Sequence, residues 1–140
     1  LEIASRAIVD GILLQGVEFD VVGGPTLGAD ALTIGIAGIQ RCRWFFVRKK
    51  PKGRGTNKLI EGSSIGDGDR CLVVEDAITT GGSLLKAIDA VEATGAKVVA
   101  VSTLVDRGEI ARPLIESREI LYYPLATYLD LGIEPVEIPS

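Results

Sequence analysis

An α/β domain built on a largely parallel sheet is the fold that this sequence predicts, and three observations support it. Helical and extended segments alternate along the chain in the order α-β-α-β-loop-β-α-β-α-β. Two extended segments, 71–74 and 98–105, show almost no polar alternation, which is typical of strands buried on both faces of a parallel sheet. The length of 140 residues and the hydrophobic content of 46% suit one domain with one core.

The first half of the chain alternates helices with short extended segments. Residues 1–15 are predicted to form a helix that ends at Gly16. Its apolar face is formed by Ile3, Ala7, Ile8, Ile12 and Leu14. Residues 19–22 follow as a strand that runs into a tight loop at 23–25, and residues 29–39 are predicted to form a buried helix.

The second half begins with an aromatic strand at 44–47. A segment rich in Lys, Arg, Gly and Pro follows at 48–55, and its composition predicts a mobile surface loop. The remaining predicted elements are a turn at 67–69, a strand at 71–74, a helix at 83–94, a strand at 98–105, a helix at 109–117 and a strand at 120–123.

The composition excludes several classes of function. The chain contains no His, so it has no Ser-His-Asp machinery and no His-ligated metal. Two Cys cannot form a disulfide framework, which favours a reducing compartment. The net charge of −4 argues against nucleic acid as a partner, and no apolar run approaches the length of a membrane span.

Residues 73–83, Val-Val-Glu-Asp-Ala-Ile-Thr-Thr-Gly-Gly-Ser, are the most informative segment. A buried strand would deliver two adjacent carboxylates, Glu75 and Asp76, to its carboxyl end, where ligands bind in open α/β sheets. The Thr and Gly residues that follow supply hydroxyl and N–H donors ahead of a helix N-terminus, the elements of a phosphate cradle. The carboxylates suit ribose hydroxyls, or a Mg²⁺ held through water. The alternative is a plain strand–turn–helix connection with Ser83 as the N-cap.

This segment resembles the phosphoribosyl pyrophosphate (PRPP) signature of the type I phosphoribosyltransferases. The resemblance implies their fold, a largely parallel central sheet flanked by helices with a mobile catalytic lid loop, as a single core domain over residues 1–140. It also implies that Glu75 and Asp76 contact the ribose hydroxyls. The 5′-phosphate would be held by Ala77, Thr79, Thr80, Gly81, Gly82 and Ser83.

Residues 46–56 resemble the catalytic loop of the orotate phosphoribosyltransferases within that family. Five of the 15 Lys and Arg residues fall within seven positions, and the structural alternative is a solvated basic loop. By resemblance Arg48, Lys49, Lys52 and Arg54 bind pyrophosphate, and Lys52 is catalytic together with Asp76. Arg54 stands where the family usually has His, so it supplies charge but no neutral acid–base group near pH 7.

Other segments resemble the same enzymes. Residues 22–30 match the loop that lies against pyrophosphate and metal, although alone they could form a structural turn. Asp106-Arg107 matches a pair whose Arg contacts the orotate carboxylate, so Arg107 and Thr80 are the predicted orotate contacts; alone, such a pair is more often a surface ion pair. Residues 125–131 look like the closing helix of the family.

The resemblance implies transfer of the phosphoribosyl group of PRPP to orotate, which gives orotidine 5′-monophosphate and pyrophosphate in cytoplasmic pyrimidine biosynthesis. Mg²⁺ would be the cofactor, bound through PRPP and water with Asp76 as a candidate ligand. A homodimer is implied, with Lys52 acting across the interface. No residue matches the family's N-terminal hood and residue 1 is Leu, so we expect the hood upstream. Two alternatives remain open: a purine-type phosphoribosyltransferase, and a non-catalytic relative that senses PRPP or nucleotides.

Overall fold

The computed structural model describes residues 1–53 and 58–137, and within them a six-stranded sheet carries the fold. In chain order the elements are α1 (Glu2–Leu14), β1 (Val21–Pro25), α2 (Asp30–Gln40), β2 (Arg43–Lys52), β3 (Lys58–Gly62), β4 (Arg70–Ile78), α3 (Gly82–Glu92), β5 (Lys97–Asp106), α4 (Ala111–Glu116), β6 (Leu121–Thr127) and α5 (Tyr128–Leu131). No helix in these ranges is both long enough and apolar enough to cross a membrane.

The strands lie in the order β3-β2-β1-β4-β5-β6. All neighbouring pairs are parallel except β2 and β3, which are antiparallel. The predicted α/β fold with a largely parallel sheet is therefore confirmed. The carboxyl ends of five strands meet at one edge of the sheet, which we call the carboxyl edge; the opposite edge is the amino edge.

The helices cover both faces of the sheet, which explains why the central strands are apolar at consecutive positions. On β4, Cys71 and Val73 belong to the apolar cluster that includes α3 and α4. Leu72 and Val74 belong to the cluster on the other face, which includes α1 and α2. Since successive side chains of a strand point to opposite faces, a strand between two helical layers needs apolar residues at every position.

Two strands run farther towards the carboxyl edge than predicted. The expected loop at 23–25 is part of β1, because this strand lies so close to β4 that a Cβ on Gly24 would come within 2.0 Å of the Val74 carbonyl oxygen. β4 continues to Ile78, and Glu75 pairs with Thr103 of β5. The two acids therefore stand on a strand of the sheet, which restricts their movement more than a loop would.

The predicted surface loop at 48–55 is wrong in its first part. β2 extends to Lys52 with an irregularity after Val47, and it pairs with β3, a strand that the sequence did not predict. β3 has only two consecutive apolar residues, Leu59 and Ile60, and both pack half-buried against the core. So short an apolar run gives no periodic signal, and pairing with the edge of β2 decides its conformation.

The apolar face predicted for the first helix is only partly right. Ile8 and Ile12 are fully buried, as expected. Three other predicted members are exposed: Ile3, Ala7 and Leu14. The buried face also includes Val9 and two small residues, Ser5 and Gly11, and the Tyr123 ring lies so close to Gly11 that a Cβ there would clash with it.

The last elements also differ from their predicted limits. β6 extends through residue 127 and so replaces the first part of the closing helix expected at 125–131, which is reduced to α5 over Tyr128–Leu131. The helix expected at 109–117 begins at Ala111 and carries Pro113 in its first turn. A proline is tolerated there because first-turn N–H groups have no partner within the helix.

Candidate active site

Three of the predicted binding segments meet in a cleft of about 830 Å³ at the carboxyl edge. One wall is the loop after β1, another is the middle of β2, and the floor is formed by the end of β4 and the start of α3. The predicted site residues that line the cleft are Arg48, Lys49, Glu75, Gly82 and Ser83, together with Thr26 and Gly28 of the first loop. Segments far apart in sequence thus converge because parallel strands end at the same edge.

Glu75 is the half-buried acid of the cleft. Its Oε1 accepts a hydrogen bond of 3.1 Å from the Ser83 hydroxyl. Burial raises the pKa of the Glu75 carboxyl, Asp76 adds to the rise, and the Ser83 bond and Lys49 oppose it. Removing a charged carboxylate from water without full compensation is costly, and a ligand that donates hydrogen bonds would relieve that cost.

Asp76 is exposed, and its carboxyl group and its backbone carbonyl each accept a hydrogen bond. Its Oδ1 accepts a bond of 2.8 Å from the Ala77 N–H, and its backbone carbonyl accepts one of 3.1 Å from the Thr103 hydroxyl. The loop after β1 passes directly over the carboxyl, since a Cβ on Gly28 would lie 2.6 Å from Asp76 Oδ1. Glycine at position 28 is therefore what allows the loop and the acid to share this space.

The turn between β4 and α3 leaves the start of the helix open. Gly81 takes the N-cap position with φ of +83°, and no side chain among the residues that the structure describes caps the helix. The alternative that Ser83 is the N-cap is therefore wrong, because its hydroxyl faces Glu75. In place of a side-chain cap, the Gly82 N–H makes only a long contact, of 3.4 Å, with Thr80 Oγ1. Uncapped N–H groups and the helix dipole together favour an anion at this place.

The exposure of the remaining turn residues fits that arrangement. Ala77 and Thr80 are exposed and Thr79 is half-buried. Thr80 therefore has a hydroxyl that a ligand can reach, and the exposed Ala77 sits at the end of β4 beside the two acids.

The cations of β2 pair with a carboxylate that the sequence did not single out. Arg48 Nη1 donates to Glu61 Oε1 at 2.7 Å, and Lys52 Nζ lies 3.5 Å from the same oxygen. The Arg48 bond, with help from Lys52, holds the pKa of Glu61 below its usual value. Arg48 and Lys49 line the cleft, whereas Lys52 does not and is 72% exposed. Arg54 lies outside the described residues.

Arg107 is exposed just past the end of β5 and is not part of the cleft lining. Its backbone N–H donates to the Ile78 carbonyl at 2.8 Å, which places it beside the turn that follows β4. The structure thus brings the predicted orotate contacts, Thr80 and Arg107, to neighbouring strand ends.

Sequence reasoning missed several residues of this region. Lys86 and Asp89 of α3 line the cleft, and their spacing of three and six positions from Ser83 on one helix could have revealed them. Glu61 on β3 could not be found in this way, because its place depends on a strand that the sequence did not predict.

The described residues contain no cluster of three or more His, Cys, Asp or Glu side chains that could hold a metal ion. Mg²⁺ is usually bound by one or two carboxylates together with phosphate oxygens and water, and not by a cage of protein ligands. The adjacent carboxylates of Glu75 and Asp76 therefore fit a Mg²⁺ that arrives with a phosphorylated substrate.

Comparison with known sequences identifies what this site is similar to. The family model described as the phosphoribosyl transferase domain matches residues 3–117. The orotate phosphoribosyltransferase of Thermococcus gammatolerans is 39% identical over 131 residues, which cover 94% of this chain and 69% of that protein. The enzyme of the same name from Mycobacterium bovis is 44% identical over 119 residues, which cover 84% of this chain and 66% of that protein.

Solved structures agree with the sequences. A structure of Mycobacterium tuberculosis orotate phosphoribosyltransferase in complex with PRPP superposes with a TM-score of 0.75 at 37% identity. The match covers 94% of this chain and 75% of that one. An adenine phosphoribosyltransferase from Thermoanaerobacter pseudethanolicus matches with a TM-score of 0.68 at 18% identity over 88% of this chain and 77% of that one, a likeness of fold alone.

Proposed function

The chain belongs to the phosphoribosyltransferase family, within its orotate phosphoribosyltransferases, and from this premise we propose the reaction and the residues that perform it. The protein transfers the phosphoribosyl group of PRPP to orotate in pyrimidine biosynthesis and releases pyrophosphate. The observation that carries the proposal is the cleft in which Glu75, the uncapped start of α3 and the cations Arg48 and Lys49 meet at one edge of the sheet, with Asp76 next to Glu75 on β4.

Different residues in and around the cleft bind different parts of the substrates. Glu75 and Asp76 accept hydrogen bonds from the ribose hydroxyls, where two adjacent carboxylates suit two adjacent donors. The 5′-phosphate is held by N–H and hydroxyl donors of the turn that follows the two acids. The residues of this turn that bind it are Ala77, Thr79, Thr80, Gly81, Gly82 and Ser83. Arg48 and Lys49, with Lys52 and Arg54, bind the pyrophosphate, and Thr80 and Arg107 bind orotate.

The chain needs no protein nucleophile for this reaction, because a ring nitrogen of orotate attacks the anomeric carbon as pyrophosphate leaves. Positive charge develops on the ribose, and the carboxylates of Glu75 and Asp76 stabilise it there. Negative charge grows on the leaving pyrophosphate, where the cations of β2 stabilise it. Catalysis then consists of orientation and charge neutralisation, which is how a site without a His in these 140 residues can work.

We propose that Mg²⁺ accompanies PRPP, with Asp76 as a candidate ligand. When bound it would neutralise part of the pyrophosphate charge. Removing the metal with a chelator is expected to abolish turnover.

We also propose that the protein is a homodimer in which Lys52 serves the neighbouring subunit. The support is that Lys52 lies outside the cleft of its own chain, while Arg48 and Lys49 line it. Co-expression of Lys52→Ala with Asp76→Asn tests this, since a mixed dimer would contain one site with neither defect. About one quarter of the wild-type activity should return if Lys52 acts across the interface, and none if it acts within its own subunit.

Cytoplasmic localisation is part of the same proposal. Its support is that both cysteines, Cys42 and Cys71, are free thiols, the state expected in a reducing compartment.

The experiment that tests the function measures pyrophosphate release by the complete gene product with Mg²⁺ and PRPP. Orotate, adenine and hypoxanthine are compared as acceptors. Release that depends on orotate is expected. Release with a purine would indicate the purine-type alternative, and PRPP binding without turnover on any base would contradict the enzymatic role.

A further inference from the structure

A buried polar pair lies directly beneath the predicted orotate contact Arg107. Asp106, the last residue of β5, is 2% exposed, and Tyr122 on the neighbouring strand β6 is 4% exposed. The Tyr122 hydroxyl donates to Asp106 Oδ2 at 2.7 Å. Polar side chains this deeply buried are costly unless they are fully hydrogen-bonded, so the pair is expected to have a specific role.

The second carboxylate oxygen of Asp106 holds the turn that carries Arg107. Asp106 Oδ1 accepts a hydrogen bond of 3.0 Å from the Gly108 N–H. The Asp106 side chain is therefore bonded to the backbone of the residue that follows Arg107. Both oxygens of Asp106 are thereby satisfied, one by the turn and one by Tyr122. Removing either donor leaves a buried oxygen without a partner.

The backbone of the turn is held from two further directions. The Arg107 N–H donates to the Ile78 carbonyl at 2.8 Å, and the Arg107 carbonyl accepts from the Val136 N–H at 2.7 Å. A Cβ on Gly108 would lie 2.9 Å from the Val136 oxygen and 3.0 Å from the Thr79 oxygen. The turn therefore lies close between the C-terminal segment and the turn that follows β4, and no side chain would fit at position 108.

The surroundings of Tyr122 keep its hydroxyl a donor. Burial and the neighbouring Asp106 carboxylate raise the pKa of Tyr122 far above its usual value, so the hydroxyl retains its proton. The Arg112 guanidinium of α4 lies 4.9 Å from the centre of the Tyr122 ring, a cation–π contact that helps to hold the ring in place.

We propose that Tyr122 is a positioning residue for the orotate site: through the Asp106 carboxylate it fixes the turn that presents Arg107 to the substrate. The proposal rests on the proposed function, which makes Arg107 an orotate contact. Tyr122 touches no substrate in this scheme. Its effect is on the placement of a guanidinium whose geometry decides how well a planar carboxylate is bound.

The test compares Tyr122→Phe with Tyr123→Phe in the complete gene product. Both variants remove one hydroxyl from adjacent positions of β6, but the Tyr123 ring lies on the opposite face of the sheet, over Gly11 of α1. The measurement is the steady-state KM for orotate and for PRPP with Mg²⁺. For Tyr122→Phe the KM for orotate should rise about tenfold while the KM for PRPP changes less than about twofold. Tyr123→Phe should change neither.

A purely structural role would show a different pattern. If Tyr122→Phe lowers the unfolding temperature but leaves the KM for orotate unchanged, or raises both KM values equally, the proposal is wrong. Asp106→Asn is the second variant, and it should reproduce the orotate-specific rise because an amide cannot accept from both donors. If neither variant folds, the pair is a stability element and the proposal fails. If the wild-type protein does not turn over orotate, the proposed function is wrong, and the role of Tyr122, which depends on that function, is wrong as well.

Discussion

The amino edge and the carboxyl edge of the sheet differ in whether their acidic side chains form ion pairs within the protein. At the amino edge, Arg70 donates to Asp20 from its backbone N–H at 2.9 Å, from Nε at 3.1 Å and from Nη2 at 2.9 Å. Arg43 forms an ion pair with Asp69, which also accepts from the Gly66 N–H at 3.0 Å. These partners hold the pKa values of Asp20 and Asp69 below their usual range.

At the carboxyl edge the acids lack such partners. Within the described part of the chain, neither Glu75 nor Asp76 takes part in an ion pair, and the pKa of Glu75 is raised. Glycines replace side chains where the loop after β1 crosses β4. The acids Asp20 and Asp69 of the amino edge are thus neutralised by arginines of the protein itself, whereas Glu75 and Asp76 of the carboxyl edge have no ion-pair partner among the described residues. The difference explains why substitutions at the two edges should act on different quantities.

The largest effect is expected for Lys52→Ala at the carboxyl edge. Loss of the cation that we propose stabilises the leaving pyrophosphate should lower kcat by roughly 10²-fold. Binding of orotidine 5′-monophosphate, measured by calorimetry, should be little changed, because the 5′-phosphate turn is intact. The control is Lys97→Ala at the amino edge, which removes an exposed cation and should leave kcat unchanged. Equal losses of turnover and product binding would contradict the assignment of Lys52.

Glu75→Gln should separate activity from stability. Removing the proposed ribose contact is expected to raise the KM for PRPP about tenfold. The folded-state pKa of Glu75 lies above its unfolded value, so its ionisation costs stability once the pH has risen through that pKa. The neutral variant should therefore unfold at a slightly higher temperature at pH 7, and this gain should vanish below pH 4.5, the unperturbed value. A lower unfolding temperature at pH 7 would show that Glu75 supports the fold.

Arg70→Ala should give the opposite result at the amino edge. The pair is partly exposed, so thermal unfolding at pH 7 should fall by only a few degrees, with KM and kcat unchanged. The folded-state pKa of Asp20 lies below its unfolded value of 3.8, so this stability is present above that pH and is lost as the pH falls below it. Wild-type and variant unfolding curves should accordingly converge in acid. A change in kcat would contradict the comparison, because it would show that the amino edge also affects activity.

The smallest effect is expected for Glu61→Gln. Glu61 forms ion pairs with both Arg48 and Lys52. If these cations bind pyrophosphate as proposed, PRPP has to displace Glu61 from them. The KM for PRPP should fall by up to about 5-fold, and the difference should shrink as salt is added. Glu2→Gln, which breaks an exposed pair with Arg6 on α1, is the matched control. A higher KM for PRPP would mean that Glu61 orients the cations and does not compete for them.

Part of the site could be predicted because its residues are neighbours in sequence. Glu75, Asp76 and the turn up to Ser83 follow one buried strand, so the strand direction and a short turn suffice to place them together. The convergence of this segment with the loop after β1 follows from the parallel sheet. Both conclusions need only local patterns and the rule that parallel strands end at a common edge.

Other contacts could not be predicted because they join distant positions. The Arg48–Glu61 and Tyr122–Asp106 bonds cross between strands that pair in space, one of them through a short edge strand without a periodic pattern. The buried face of α1 also differs from its apolar pattern, because Gly11 lies against the Tyr123 ring of β6 and Ser5 against Gly35 of α2, and these close contacts are set by distant parts of the chain.

The sequence alone determined the fold class, the family resemblance and the segments that reach the carboxyl edge, because each depends on periodicity or on residues close together along the chain. The tertiary structure decided which charges are paired within the protein and which remain free for a ligand. It also revealed that the turn of Arg107 is held from beneath by Asp106 and Tyr122. Pairing of this kind depends on side chains brought within hydrogen-bonding distance by strand order and register, and no local pattern records those distances.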